Sequence, residues 1–233
     1  MGNWLILALL VAHPAAALTV VIDPGHGGSN CGAVGPGPQK PIEKRVTLAV
    51  AQALRRELER RGAHVVMTRE RDAYLTLGER VRRANGARAD LFLSIHANAS
   101  LDHSRRGVET FVASRELVDV RAATTARGAH DPAYAMALRA QVRFIAGESA
   151  RLARAVQTRL AATRPGDRGV RQAPYDVLDG VQVPAVLVEV GFVDHASEGL
   201  ELARREVQRA IARALADGVV DFSGEPAATV ARR

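Results

Sequence analysis

Apolar positions along the chain fall into two rhythms. Short, compact runs rich in Val, Ile and Leu occur at 18–22, 64–68, 91–95, 108–112, 175–178 and 185–190, and each predicts a buried strand. Between them, apolar residues recur at helical spacing. Val46, Val50, Ala53, Leu54 and Leu58 predict a helix over 43–61 that stops at Gly62. Val81 and Ala84 face inward in a second helix over 77–88, and further helices are predicted over 148–163 and 198–216. The Ala- and Arg-rich stretch 114–147, interrupted by Gly128 and Pro132, reads as an insertion with one or two helices. Strands alternating with helices predict an α/β fold, a mostly parallel twisted sheet with helices on both faces in one domain over 18–220. The end, 221–233, is expected to fray.

Composition refines this picture without changing it. A chain of 233 residues, 47% of them apolar, suffices for one domain with a full core. The net charge is +7, and lysine occurs only at Lys40 and Lys44. The arginines sit beside acids, as in Arg55-Arg56-Glu57 and Glu59-Arg60-Arg61, a pattern of solvated helix faces that argues against a nucleic-acid partner. Attraction to an anionic cell wall accounts for the charge equally well. The single cysteine, Cys31, excludes an intrachain disulfide and reads as a small residue filling a turn. The start resembles an export signal: an apolar run over 4–12, Pro14, then Ala15-Ala16-Ala17. It lacks Lys or Arg ahead of the apolar run, so an added first strand is the competing reading. The run is too short to span a bilayer. Cleavage after 1–17 would leave a monomer with no membrane span, exported to the periplasm or cell wall.

Three polar residues are aimed at one edge by strands. His26 follows the first strand through the Asp23-Pro24-Gly25-His26-Gly27-Gly28 loop, His96 follows the third, and Glu189 lies amid Val186, Leu187, Val188 and Val190. Ligands of open α/β sheets gather at the carboxyl ends of strands. Burying a lone carboxylate is costly and raises its pKa, which suits a general base near neutrality. Glu43, at the start of the first long helix, is either a first-turn acid favoured by the helix dipole or a metal ligand at the rim. Two histidines and a carboxylate form a known catalytic zinc set. Spacing alone leaves these alternatives open, because no His-Glu-x-x-His pattern is present.

Four ordered strings carry a resemblance: Val21-Ile22-Asp23-Pro24-Gly25-His26-Gly27-Gly28, Ile42-Glu43-Lys44, Ser94-Ile95-His96-Ala97-Asn98 and Val188-Glu189-Val190-Gly191-Phe192. Together they resemble the zinc-dependent N-acetylmuramoyl-L-alanine amidases of the cell-separation type, over roughly residues 18–218. The resemblance implies one zinc ion held by His26, Glu43 and His96, with Glu189 as the general base that later protonates the leaving amine. The bond cut would join the lactyl carboxyl of N-acetylmuramic acid to the first L-alanine of the stem peptide of peptidoglycan. Asn98 is a candidate substrate contact or a turn stabiliser. Asp23 either orients His26 or, as we favour, shapes the loop. Two features depart from the family pattern. Asp194-His195 stand where an asparagine is usual. The 114–147 segment is long, and by analogy it would gate the zinc, through Glu116 or Asp119, until an activator protein displaces it. The competing readings are a peptidoglycan-binding pseudoenzyme and a zinc peptidase acting within the stem peptide.

Overall fold

The computed structural model describes residues 17–38 and 41–224; the export-like run over 1–16 lies outside the described residues. Six strands form one sheet: β1 (Thr19–Pro24), β2 (His64–Met67), β3 (Leu91–Asn98), β4 (Val108–Ala113), β5 (Asp167–Ala173) and β6 (Ala185–Phe192). The order is β2-β1-β3-β6-β4-β5, and every neighbouring pair is parallel except β4 with β6. The expected mostly parallel α/β sheet is therefore present.

The helices are α1 (Glu43–Arg60), α2 (Leu77–Gly86), α3 (Arg115–Thr125), α4 (Pro132–Thr163), α5 (Glu198–Leu202) and α6 (Arg205–Gly224). One face of the sheet, with Val20, Ile22, Leu93, Ile95, Val186 and Val188, is covered by α1, α4 and α6. The other face carries Val21, Phe92, Phe111 and Leu187 beneath Ala84 of α2 and the buried Val177, Leu178 and Val181. Alternation along each strand thus supplies two cores from the same runs. Helix α2 starts with a reciprocal capping box between Thr76 and Glu79.

Four expectations need correction. The run 175–178 is a turn, and its apolar side chains are buried as a lid on the second core. The strand lies just before it, in the polar sequence of β5, whose edge position leaves most of its side chains exposed. Helix α4 runs unbroken through Gly147 because Val142, Ser149, Ala153, Val156 and Leu160 keep helical phase across it. The stretch 198–216 is two helices. Leu202 and Ile211 are both buried, yet nine residues apart they would fall on opposite sides of one straight helix. Finally, α6 continues to Gly224 with Phe222 buried, so the expected tail begins no earlier than 225, and 225–233 lie outside the described residues.

A buried ion pair ties three of these elements together. The Glu198 carboxylate accepts the Gly107 and Phe192 amides and faces Arg164 Nη2 at 3.1 Å. Glu198→Ala is expected to cost about 3 kcal/mol in denaturant unfolding, because two amides lose their acceptor while Arg164 keeps only its second acid, Glu201 at 3.1 Å. Adding Arg164→Met should recover part of that loss.

Candidate metal centre

The loop after β1 is shaped by buried charge. Asp23 is fully buried and accepts from Thr68 Oγ1 at 2.5 Å, Ser94 Oγ at 2.8 Å and Arg80 Nη1 at 2.7 Å. Arg80 also donates to the Pro24 and His26 carbonyls at 2.7 and 2.8 Å. Arg69 reaches the Pro24 and Gly25 carbonyls at 2.9 and 2.7 Å, and Thr47 Oγ1 donates to Gly25 at 2.9 Å. Burial and then the Arg80 charge lower Arg69 to about 10, so it stays cationic near neutrality. These donors draw successive carbonyls inward and hold His26 at φ 60°, a left-handed conformation unusual for histidine. Asp23 makes no bond to the His26 ring, which agrees with its loop-shaping role.

The held loop turns His26 toward Glu43 and His96. His26 Nε2 lies 2.9 Å and His96 Nδ1 3.0 Å from the same Glu43 oxygen, Oε1. The rings meet edge-on, 4.9 Å apart at 74°. Glu43 is buried as the first residue of α1; Oε1 also accepts the Ala97 amide at 3.1 Å and Oε2 the Ala33 amide at 2.8 Å. The His26 Nδ1–H donates to Asn30 Oδ1 at 2.9 Å, which leaves the Nε2 lone pair facing the cluster.

The donor set fits zinc. One ligand atom from each of His26, Glu43 and His96 lies within 4.8 Å of the others. Ligands about 2.0–2.2 Å from a tetrahedral zinc sit roughly 3.3–3.6 Å apart, so the two His–Glu43 spacings of 2.9 and 3.0 Å would open slightly and the widest pair would close by no more than about 1.5 Å. The backbone is cut back to make room. A Cβ on Gly25 would come 2.4 Å from the His96 ring, and one on Gly32, at φ 66°, would come 2.4 Å from Glu43 Oε2. The His26 and His96 side chains remain 22% and 20% exposed, which leaves an approach from solvent.

Glu189 stands beside this cluster. It is paired in register with His96 across β3 and β6 and with Glu109 across β6 and β4. Residues directly opposite share a face, so His96, Glu189 and Glu109 form a row across three strands. Glu189 is 7% exposed and its Oε2 has no hydrogen-bond partner. Burial first, then the charges of Glu43 and Glu109, push its pKa well above the ordinary carboxylate value.

The remaining expected residues lie elsewhere. Asn98 Nδ2 donates to Glu109 Oε1 at 2.6 Å, which places it with Glu109 and outside the metal cluster. Neither Glu116 nor Asp119 joins that cluster: both are exposed on α3, with Glu116 bonded to Ser114 and Asp119 3.6 Å from Arg143. These two carboxylates do not close the site. Asp194 accepts the Ser100 amide at 2.9 Å and pairs with His103, while the His195 ring accepts the Glu198 amide at 3.2 Å. Sequence reasoning missed Asn30 and Glu109, and it gave no role to Arg69 and Arg80, which lie in stretches that resemble the family. Glu109 carried the same signal as Glu189, an acid inside the apolar run Val108–Ala113.

A model of the N-acetylmuramoyl-L-alanine amidase family matches residues 20–221. The N-acetylmuramoyl-L-alanine amidase LytC of Bacillus subtilis (strain 168) is 36% identical over 213 residues, covering 90% of this chain and 36% of LytC. The chain thus spans about a third of that relative. The uncharacterized protein YqiI of the same organism is 35% identical, with 91% of this chain and 87% of YqiI covered. Among solved structures, the N-acetylmuramoyl-L-alanine amidase from Clostridium difficile 630 superposes with a TM-score of 0.73 at 28% identity, covering 91% of this chain and all of that one. The match along nearly the whole described length, on this sheet and these strand ends, places the chain in the N-acetylmuramoyl-L-alanine amidase family.

Proposed function

We propose that this protein is a zinc-dependent hydrolase of peptidoglycan that cuts the amide between N-acetylmuramic acid and the first L-alanine of the stem peptide. One observation carries the reading: a His-Glu-His donor set gathers at the carboxyl ends of β1 and β3, and Glu189, a buried carboxylate with an unpartnered oxygen, stands in register with His96 of that set. His26, Glu43 and His96 are the assigned ligands. Zinc in such a set supplies Lewis acidity, making water acidic near neutral pH and polarising the scissile carbonyl. Glu189 accepts the proton of the attacking water and returns it to the leaving amine of L-alanine. Its raised proton affinity makes it a stronger base than an exposed glutamate, and it shares a sheet face with the ligand His96. Asn30 fixes the His26 tautomer, and the Asp23–Arg80–Arg69 network fixes its backbone.

In this reading the protein acts as an exported monomer on the wall polymer, and its net charge of +7 favours an anionic surface. Among the described residues no helix is long and apolar enough to cross a membrane. The test is digestion of purified peptidoglycan by the zinc-loaded protein, with soluble products read by mass spectrometry. Peptides beginning with a free L-alanine are expected. Cuts inside the stem peptide would make the protein a peptidase, and zinc binding without any release would make it a pseudoenzyme.

A further inference from the structure

The row His96–Glu189–Glu109 continues onto the edge strand, where two arginines meet Glu109. Arg168 Nε donates to Glu109 Oε2 at 3.3 Å, and Arg171 Nε lies 2.9 Å from the same oxygen. Asn98 already donates to the other oxygen, Oε1. One cation would balance a buried carboxylate, so the second guanidinium leaves the group with a surplus positive charge. Both arginines use only Nε on Glu109. Their Nη atoms make no protein hydrogen bond among the described residues. The Arg168 guanidinium lies over the Phe192 ring, 5.3 Å from its centroid, and Arg171 has half its side chain in solvent. A pair of Nη groups on a guanidinium held from behind is the geometry that takes a carboxylate two-pronged.

The position of this pair specifies the ligand. Along the row, the metal ligand His96 comes first, Glu189 second and the arginines last, on the side away from the metal ligands. If Glu189 protonates the leaving amine, the peptide that departs with that amine lies on the arginine side. Strands are about 4.8 Å apart, so β5 lies roughly 10 Å from β6. The guanidinium groups reach back to Glu109 on β4, only one strand spacing from Glu189, and at about 3.3–3.6 Å per residue that shorter distance corresponds to the second residue of the peptide.

We propose that Arg168 and Arg171 form a carboxylate-binding subsite on the leaving-amine side, which selects stem peptides whose second residue carries a free carboxylate. The proposal rests on the amidase reading above. Its test uses the zinc-loaded protein and two soluble muramoyl peptides that differ only at that residue, one carrying a carboxylate and the other a carboxamide. The expected kcat/KM favours the carboxylate by about 10-fold or more, the scale of a charge-assisted pair. Arg171→Gln is expected to lower that ratio several-fold, Arg168→Gln/Arg171→Gln to bring it near one, and Arg171→Lys to retain part of it. A purely structural role would lower turnover of both peptides equally and leave the ratio unchanged. A wild-type ratio near one, or variants that slow both peptides by the same factor, would overturn the subsite and leave the amidase reading standing. Failure to cleave either peptide at the muramoyl amide would overturn both.

Discussion

Replacing Glu189 by glutamine is expected to lower kcat by about 10²–10⁴ and at the same time to stabilise the metal-free protein near neutral pH. The two effects have one cause. Glu189 is buried, one of its oxygens is unpartnered, and burial with the Glu43 and Glu109 charges raises its proton affinity. An acid whose folded pKa lies above its unfolded value of 4.5 costs nothing while both states are protonated. As pH rises through 4.5 the unfolded chain releases its proton and the folded chain keeps it, so stability falls until the folded pKa is passed. Glutamine has nearly the same shape and no charge to bury, and it cannot take a proton from water. Denaturant midpoints of metal-free wild type and variant should therefore converge below about pH 4 and separate above it, with the variant the more stable. Zinc affinity should be little altered, since Glu189 is not among the assigned ligands. A variant that kept its activity would remove Glu189 from the mechanism. One less stable than wild type at pH 7.5 would mean that the carboxylate is stabilised by a partner.

Much of this was legible in the sequence, for a physical reason. The strands that build the site are buried on both faces, so they read as continuous Val, Ile and Leu runs, and a polar residue inside or just after such a run stands out. Leu91–Asn98 and Ala185–Phe192 delivered His96 and Glu189 in that way. Edge position defeated the same logic for β5: Asp167–Ala173 is half solvated, has no apolar rhythm, and surrendered its place to the better-patterned turn at 175–178. The boundary set between the 114–147 insertion and the 148–163 helix failed because a single glycine, Gly147, costs a helix interior only about 1 kcal/mol, less than the in-phase burial on either side contributes. The loop chemistry was the least visible. Asn30, Arg69 and Arg80 act through backbone carbonyls and a ring nitrogen, and such contacts are set by three-dimensional convergence, leaving no spacing in the chain to read. Glu109 was readable and was passed over, since its strand points no obvious ligand at it until β5 is in place.

At Glu43, substitution by glutamine is expected to abolish tight zinc binding and, with it, turnover. Its Oε1 is the atom on which both histidines converge, and the Ala33 and Ala97 amides fix the carboxylate in place. Burial alone would raise the Glu43 pKa, but the His26 and His96 hydrogen bonds and charges outweigh it and bring it to about 2. Burial likewise lowers His26, and the Glu43 hydrogen bond and charge outweigh it, leaving it above 6.5. The Glu43 contribution to stability is thus present above about 4.5 and lost as pH falls toward 2, while that of His26 is full below about 6.5 and lost as pH rises through its raised folded value. Protons therefore hold the metal-free cluster together in mildly acidic solution, and zinc must displace them, so binding should release protons and tighten with rising pH. Thermal unfolding with and without zinc at pH 5.5 and 7.5 measures this directly, in a Glu189→Gln background that removes the pH dependence of the buried acid. The Glu43-containing protein should lose stability from pH 5.5 to 7.5 without metal and gain more from zinc at the higher pH, by RT ln(1 + [Zn]/Kd). The Glu43→Gln protein should show a flatter pH dependence and no zinc-induced shift. An unchanged zinc shift in that protein would mean that the two histidines hold the metal without Glu43, and that the carboxylate serves only to place them.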